Sequence, residues 1–173
     1  MIVVLIGYMA SGKSTIGRVL AKKLDYNFID LDDYIEATEK ESISDIFETS
    51  GEIYFRKRET QYLNEIIANK NNIVLALGGG TPCYGNNMET VLNSEHVTSI
   101  YLKTTIASIV ERLETEKDKR PLVSHLNTTN ELSEFVGKHL FERVQFYSKA
   151  KYIVDTNNKN IEEIIEEIIF NLF

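Results

Sequence analysis

Apolar residues in this chain fall into two kinds of pattern, continuous short runs and stripes repeating every three or four positions. Ile2–Ile6 is a continuous run, as are residues 73–77, and each predicts a buried strand; residues 97–102 suggest a fourth. Residues 27–32 read as a second strand ending in carboxylates, and residues 152–154 as a fifth. Alternation along the second places Asp30 and Asp32 on one face, with Asp33 left to begin the next helix as a cap.

The helical stripes lie between these runs. Ile16, Val19, Leu20 and Leu24 mark a helix opening near Lys13. Ile43, Ile46 and Phe47 mark short helical pieces after Asp33, with Gly51 as a break. A longer helix spans 54–69, carrying Tyr62, Leu63, Ile66 and Ile67 inward. Met88, Val91 and Leu92 suggest a short helix, and residues 106–113 another. Residues 131–150 carry Leu132, Phe135, Val136, Leu140 and Phe141 as an apolar side, plus Arg143. The last helix, 161–173, sets a row of isoleucines against Glu162, Glu163, Glu166 and Glu167.

Strands alternating with helices predict an α/β fold, a three-layer α/β/α sandwich around a five-stranded parallel sheet. In such sheets ligands gather at the carboxyl ends of the strands. The first strand runs into Gly7-Tyr8-Met9-Ala10-Ser11-Gly12-Lys13-Ser14-Thr15, which fills every fixed position of G-x-x-x-x-G-K-[ST] in the strand-to-helix setting the motif requires. This makes the chain a P-loop NTPase fold. Backbone N–H groups from Gly7 through Thr15, including Ala10 and Ser11, can surround a phosphate, and the helix dipole favours the same anion. Lys13 reaches the β- and γ-phosphates and the Ser14 hydroxyl suits Mg²⁺.

Further chemistry clusters at strand ends. Gly78-Gly79-Gly80 follows the third strand, and three consecutive glycines cost conformational entropy unless something must approach the backbone closely. Arg56 and Glu59 share a helical face, a spacing that by itself is that of a surface ion pair. Glu114 to Lys119 is charged and irregular, and Arg120-Pro121-Leu122 follows; a lid over about 113–126 whose arginine closes on phosphate is expected. Cys83 reads as a small buried hydrophobe, and His96, His125 and His139 receive no chemistry.

Composition narrows the partners. A net charge of −7 argues against nucleic acid or an anionic membrane as the main partner, while leaving room for a small anion in a local basic pocket. At 173 residues one domain is expected. One cysteine excludes an internal disulfide and suits a reducing compartment. The opening apolar run is too short for a signal core, so a cytoplasmic chain is expected.

Together the phosphate loop with Ile16-Gly17, Asp30-Leu31-Asp32, Phe55-Arg56 with Glu59, the triple glycine, Arg120-Pro121-Leu122 and Arg143 resemble the shikimate kinase family, in its order and across most of the chain. The resemblance implies transfer of the γ-phosphate of MgATP to the 3-hydroxyl of shikimate in aromatic amino-acid biosynthesis, by a monomer. It implies that Arg56 and Arg143 hold the carboxylate, with Glu59 orienting Arg56. Asp32 would accept hydrogen bonds from ring hydroxyls and act as the base. Gly78, Gly79 and Gly80 would line the substrate, with the Gly79 N–H as a donor that excludes a side chain there. Asp30 would act near magnesium beside Ser14, and an acceptor-binding insertion would span about 33–60.

The chain departs from the family pattern at Ala10, where glycine is common, and at Asn158-Lys159, where arginine is. Lys159 and Arg112 are the candidates on the nucleotide side. Two alternatives stay open: another small-molecule kinase, for gluconate or a nucleoside monophosphate, and a nucleotide-binding regulator without catalysis.

Overall fold

The computed structural model describes residues 1–116 and 123–173. Strands β1 (Ile2–Ile6), β2 (Asn27–Asp30), β3 (Ile73–Ala76), β4 (Val97–Lys103) and β5 (Tyr152–Asp155) form one parallel sheet in the order β2-β3-β1-β4-β5. The central strand β1 is fully buried along its length, and its residues alternate between two cores. Ile2, Val4 and Ile6 enter one, with Leu63, Ile66, Val136 and Tyr147; Val3 and Leu5 enter the other, with Leu20, Ile165 and Ile168. Burial on both faces is why β1 reads as an unbroken apolar run.

Helices α1 (Lys13–Leu24) and α8 (Ile161–Leu172) pack on the second core, and α4 (Gly51–Asn69) and α7 (Thr129–Tyr147) on the first. Helices α2 (Leu31–Glu39), α3 (Ile43–Thr49), α5 (Asn87–Asn93) and α6 (Ile106–Glu116) complete the described elements, with a single 3₁₀ turn over Thr81–Cys83. Strand order places the loops after β1, β2 and β3 side by side at one edge.

Several boundaries differ from expectation. The second strand stops at Asp30, whose side chain accepts the Asp32 N–H at 3.1 Å and caps α2. Asp32 therefore sits in the first turn of a helix rather than on a strand face, and Asp30, not Asp33, is the cap. Alternating residues 27–32 suit a strand, but a carboxylate that satisfies a helix's first N–H groups starts the helix sooner. Gly51, at φ 81°, does mark the break between α3 and α4, although α4 starts three residues before position 54. Helix α6 continues through Glu116, past the end expected at 113, and Leu113 and Val123 are both fully buried. Phe141, expected inward on α7, is 80% exposed. Arg120, Pro121 and Leu122 lie outside the described residues.

The contact between α1 and the sheet depends on Gly17. A β-carbon there would lie 2.4 Å from a ring carbon of Phe28 and 3.2 Å from Leu5. Gly17→Val is expected to overpack this contact, costing about 1–3 kcal/mol and lowering the thermal midpoint by several degrees in calorimetry.

Candidate active site

A cavity of about 380 Å³ opens at the carboxyl edge of the sheet, lined by Met9 through Ile16, by Asp30 and Asp32, by Leu77, Gly78 and Gly79, and by Arg112, Thr156 and Lys159. The phosphate loop forms its floor. Gly12, at φ 95°, precedes α1, and that helix has neither a side-chain cap nor an acidic residue in its first turn. Its N–H groups and dipole are thus directed at the cavity, with no acidic residue of the helix's own first turn to occupy them. Ala10 sits at φ 58°, a left-handed conformation that costs a non-glycine residue about 1–2 kcal/mol.

Cations surround this floor. The Lys13 ammonium donates to the carbonyls of Gly7 and Tyr8 at 2.8 and 2.9 Å. Arg112 Nη1 donates to the Ala10 carbonyl at 2.9 Å, so α6 is tied to the loop. Lys159 lines the same cavity while paired with Glu167 at 2.5 Å. Across from Lys13, the Ser14 hydroxyl donates to Asp30 Oδ2 at 2.7 Å. No group of three or more His, Cys, Asp or Glu side chains able to hold a metal exists among the described residues. A hydroxyl beside one carboxylate fits a hard cation that takes its remaining oxygens from phosphate and water.

The triple glycine meets a different set of side chains. A β-carbon on Gly78 would stand 2.8 Å from Asp32 Oδ1, and one on Gly80 would stand 2.9 Å from Arg56 Nη2. One on Gly79 would make only ordinary contacts, 3.5 Å from the Met9 nitrogen and 3.6 Å from Arg143 Nη1. The protein's own side chains thus crowd the backbone at Gly78 and Gly80, while the space beside Gly79 is left open to a ligand. Asp32 from α2, Arg143 from α7 and Arg56 from α4 each face one of the three glycines.

Buried charge fixes Arg56. Glu59 is 1% exposed and accepts from Arg56 Nη1 at 2.8 Å and from the Thr81 hydroxyl at 2.6 Å. The guanidinium lies 3.9 Å from the centroid of the Tyr84 ring. Burial lowers the Arg56 pKa, but the charge and hydrogen bond of Glu59 more than reverse this. A charged pair of this kind, bonded on both sides, holds one geometry; the residues form no solvated surface pair.

Asp32 is electrostatically unfavourable. Burial, then the neighbouring carboxylates Asp30 and Glu59, push its pKa up to about 6 against the pull of Lys13 and Arg56. Cys83 is pushed up to about 11 by burial, which keeps it a thiol and suits a packing role.

Three residues near Arg143 escaped the sequence reading. The Tyr8 hydroxyl and His139 Nδ1 are 2.9 Å apart, the Tyr8 ring lies 5.9 Å from the Arg143 guanidinium, and the buried Tyr147 hydroxyl donates to the Gly79 carbonyl at 2.5 Å. Burial and then the Arg143 charge lower the His139 pKa, favouring a neutral ring. Positions 139, 143 and 147 are four apart and share one face of α7, a spacing readable once Arg143 is singled out.

The raised pKa of Asp32 has a consequence for stability. The folded chain holds a proton there that the unfolded chain releases between about pH 4 and 6, so the charged carboxylate costs stability above pH 6 and the cost fades as the pH falls. In metal-free buffer at pH 7.5, Asp32→Asn is expected to unfold at a higher denaturant concentration than the wild type, by roughly 1–3 kcal/mol, with the gap closing toward pH 4.

Comparison with known proteins places the chain in a family. The family model described as shikimate kinase matches residues 9–172. A shikimate kinase of Flavobacterium psychrophilum is 46% identical over 171 residues, 99% of this chain and 98% of its own. The structure of a shikimate kinase from Bacteroides thetaiotaomicron superposes with a TM-score of 0.91 at 32% identity, covering 99% of this chain and 98% of the other. One from Acinetobacter baumannii, solved in complex with shikimate, gives 0.87 at 32% identity, covering 99% and 92%. With its phosphate loop, its paired arginines over a triple glycine and these likenesses along its whole length, the chain belongs to the shikimate kinase family.

Proposed function

We propose that this chain transfers the γ-phosphate of MgATP to the 3-hydroxyl of shikimate, giving shikimate 3-phosphate and ADP, with the site residues acting as follows. The observation that carries the reading is the convergence of Asp32, Arg143 and Arg56 on three successive glycines beside the phosphate loop. Shikimate offers one carboxylate and three hydroxyls. Two guanidinium forks suit the carboxylate, and an acceptor-only group suits the hydroxyls. The Acinetobacter baumannii relative, solved with shikimate bound, supports the same acceptor here.

On this reading the phosphates lie along Gly7–Thr15 and Lys13 exchanges its two carbonyl partners for phosphate oxygens. Ser14 and Asp30 would hold Mg²⁺, which supplies positive charge to the phosphates when bound. Asp32 accepts the proton of the attacking hydroxyl. Its pKa near 6 leaves it ionised at pH 7 yet more basic than an ordinary aspartate, as proton transfer requires. Most of the rate comes from positioning and charge, so Lys13, and Arg120 from the expected lid, contribute more than basicity. Arg112 and Lys159 flank the nucleotide, and residues 33–60 bring the acceptor-binding side chains of α4. No helix among the described residues is long and apolar enough to cross a membrane. With one cysteine, a monomer in the reducing cytoplasm is the form we propose.

The decisive assay is ADP release from MgATP with shikimate, gluconate or AMP, with Lys13→Ala alongside. Release with shikimate alone, lost in the variant, is expected; release with another acceptor moves the reading to a different small-molecule kinase, and none at all to a nucleotide-binding regulator. Arg143→Ala should raise the shikimate KM roughly tenfold to a hundredfold, as loss of a charged hydrogen bond of about 1.5–3 kcal/mol implies. Arg56→Ala should do the same and also lower the melting temperature, because it strips the buried Glu59 of its counter-ion.

A further inference from the structure

The three carbonyls of the glycine turn are held in different ways. Gly78 C=O accepts the Thr81 N–H at 3.1 Å and Gly80 C=O accepts the Cys83 N–H at 2.9 Å, both within the turn itself. Gly79 C=O instead accepts the hydroxyl of Tyr147, which comes from the last turn of α7, 68 residues away. Tyr147 is fully buried, its ring 5.3 Å from that of Tyr101, so the hydroxyl is aimed by close packing rather than by a mobile side chain. Arg143, one turn earlier on the same helix, stands beside this bond: its Nη1 would lie 3.6 Å from a β-carbon on Gly79, and its charge acts on the Tyr147 hydroxyl.

Glycine has no β-carbon to restrain its peptide planes, so the orientation of the Gly79–Gly80 peptide depends on such external bonds. A trans peptide is planar, and fixing the Gly79 carbonyl also fixes the opposed N–H of Gly80. We propose that Tyr147 is a positioning residue for the acceptor site, its hydroxyl locking the glycine turn and the Arg143 guanidinium into one arrangement so that shikimate meets both preformed. The inference rests on the acceptor-site reading given above. Tyr147 touches no substrate; it acts through Gly79 and Arg143.

Tyr147→Phe keeps the packed ring and deletes only the bond. Steady-state kinetics in each substrate should show the shikimate KM raised about tenfold, with the MgATP KM changed less than twofold. Tyr62→Phe serves as the comparison, since it removes another tyrosine hydroxyl bond, to Glu39, outside the candidate site; it should lower the melting temperature and leave the shikimate KM within twofold. An unchanged shikimate KM in Tyr147→Phe, or equal rises in both KM values, would overturn the proposal. So would failure of that variant to fold, because the hydroxyl would then serve the fold rather than the site. If the wild-type chain releases no ADP with shikimate, the functional reading itself fails, a result distinct from all of these.

Discussion

Space that a β-carbon would fill at residues 78 and 80 is taken by a carboxylate and a guanidinium, and the arrangement of the acceptor side follows from that exchange. Glycine loses more freedom on folding than any other residue, so the turn costs stability by itself. Each carbonyl is held, those of Gly78 and Gly80 by Thr81 and Cys83 within the turn and that of Gly79 by Tyr147 from outside it. Asp32, Arg56 and Arg143 come from three different helices, and the turn is the one segment that all three approach. A side chain there would separate helices α2 and α4 from the strand end as well as blocking a ligand.

Charge is distributed to the same end. The chain as a whole carries −7, yet the cavity gathers Lys13, Arg112 and Lys159 around the loop. The nearby carboxylates are used locally: Asp30 caps a helix, Glu59 is sealed against Arg56 and Thr81, and Asp32 is left at a pKa near 6. An acidic exterior with a basic pocket excludes polyanions by net field while accepting small anions by contact.

Much of this was legible in the sequence because its signals are local. Parallel strands buried on both faces leave continuous apolar runs, and β1 and β3 were read from these. The phosphate loop is contiguous in sequence, so its residue types alone carry its geometry. Errors arose where two local readings compete or where distance hides a partner. Residues 27–32 alternate like a strand, and only the capping bond from Asp30 to the Asp32 N–H decides for a helix. Phe141 fits the helical stripe of α7 but faces out, since periodicity gives a face only to within a residue or so. Arg56 with Glu59 looked like a solvated pair; its burial depends on Thr81 and Tyr84, more than 20 residues on. His139 and Tyr147 act on partners 131 and 68 residues away, which no local pattern reports.

The lysine of the phosphate loop is already bonded to two of that loop's own carbonyls. An arriving anion must therefore displace internal partners rather than meet a bare ammonium, and its return depends on how much charge it brings. The lysine is thus ordered before any guest arrives, so that binding exchanges one set of oxygen partners for another instead of first immobilising a flexible chain.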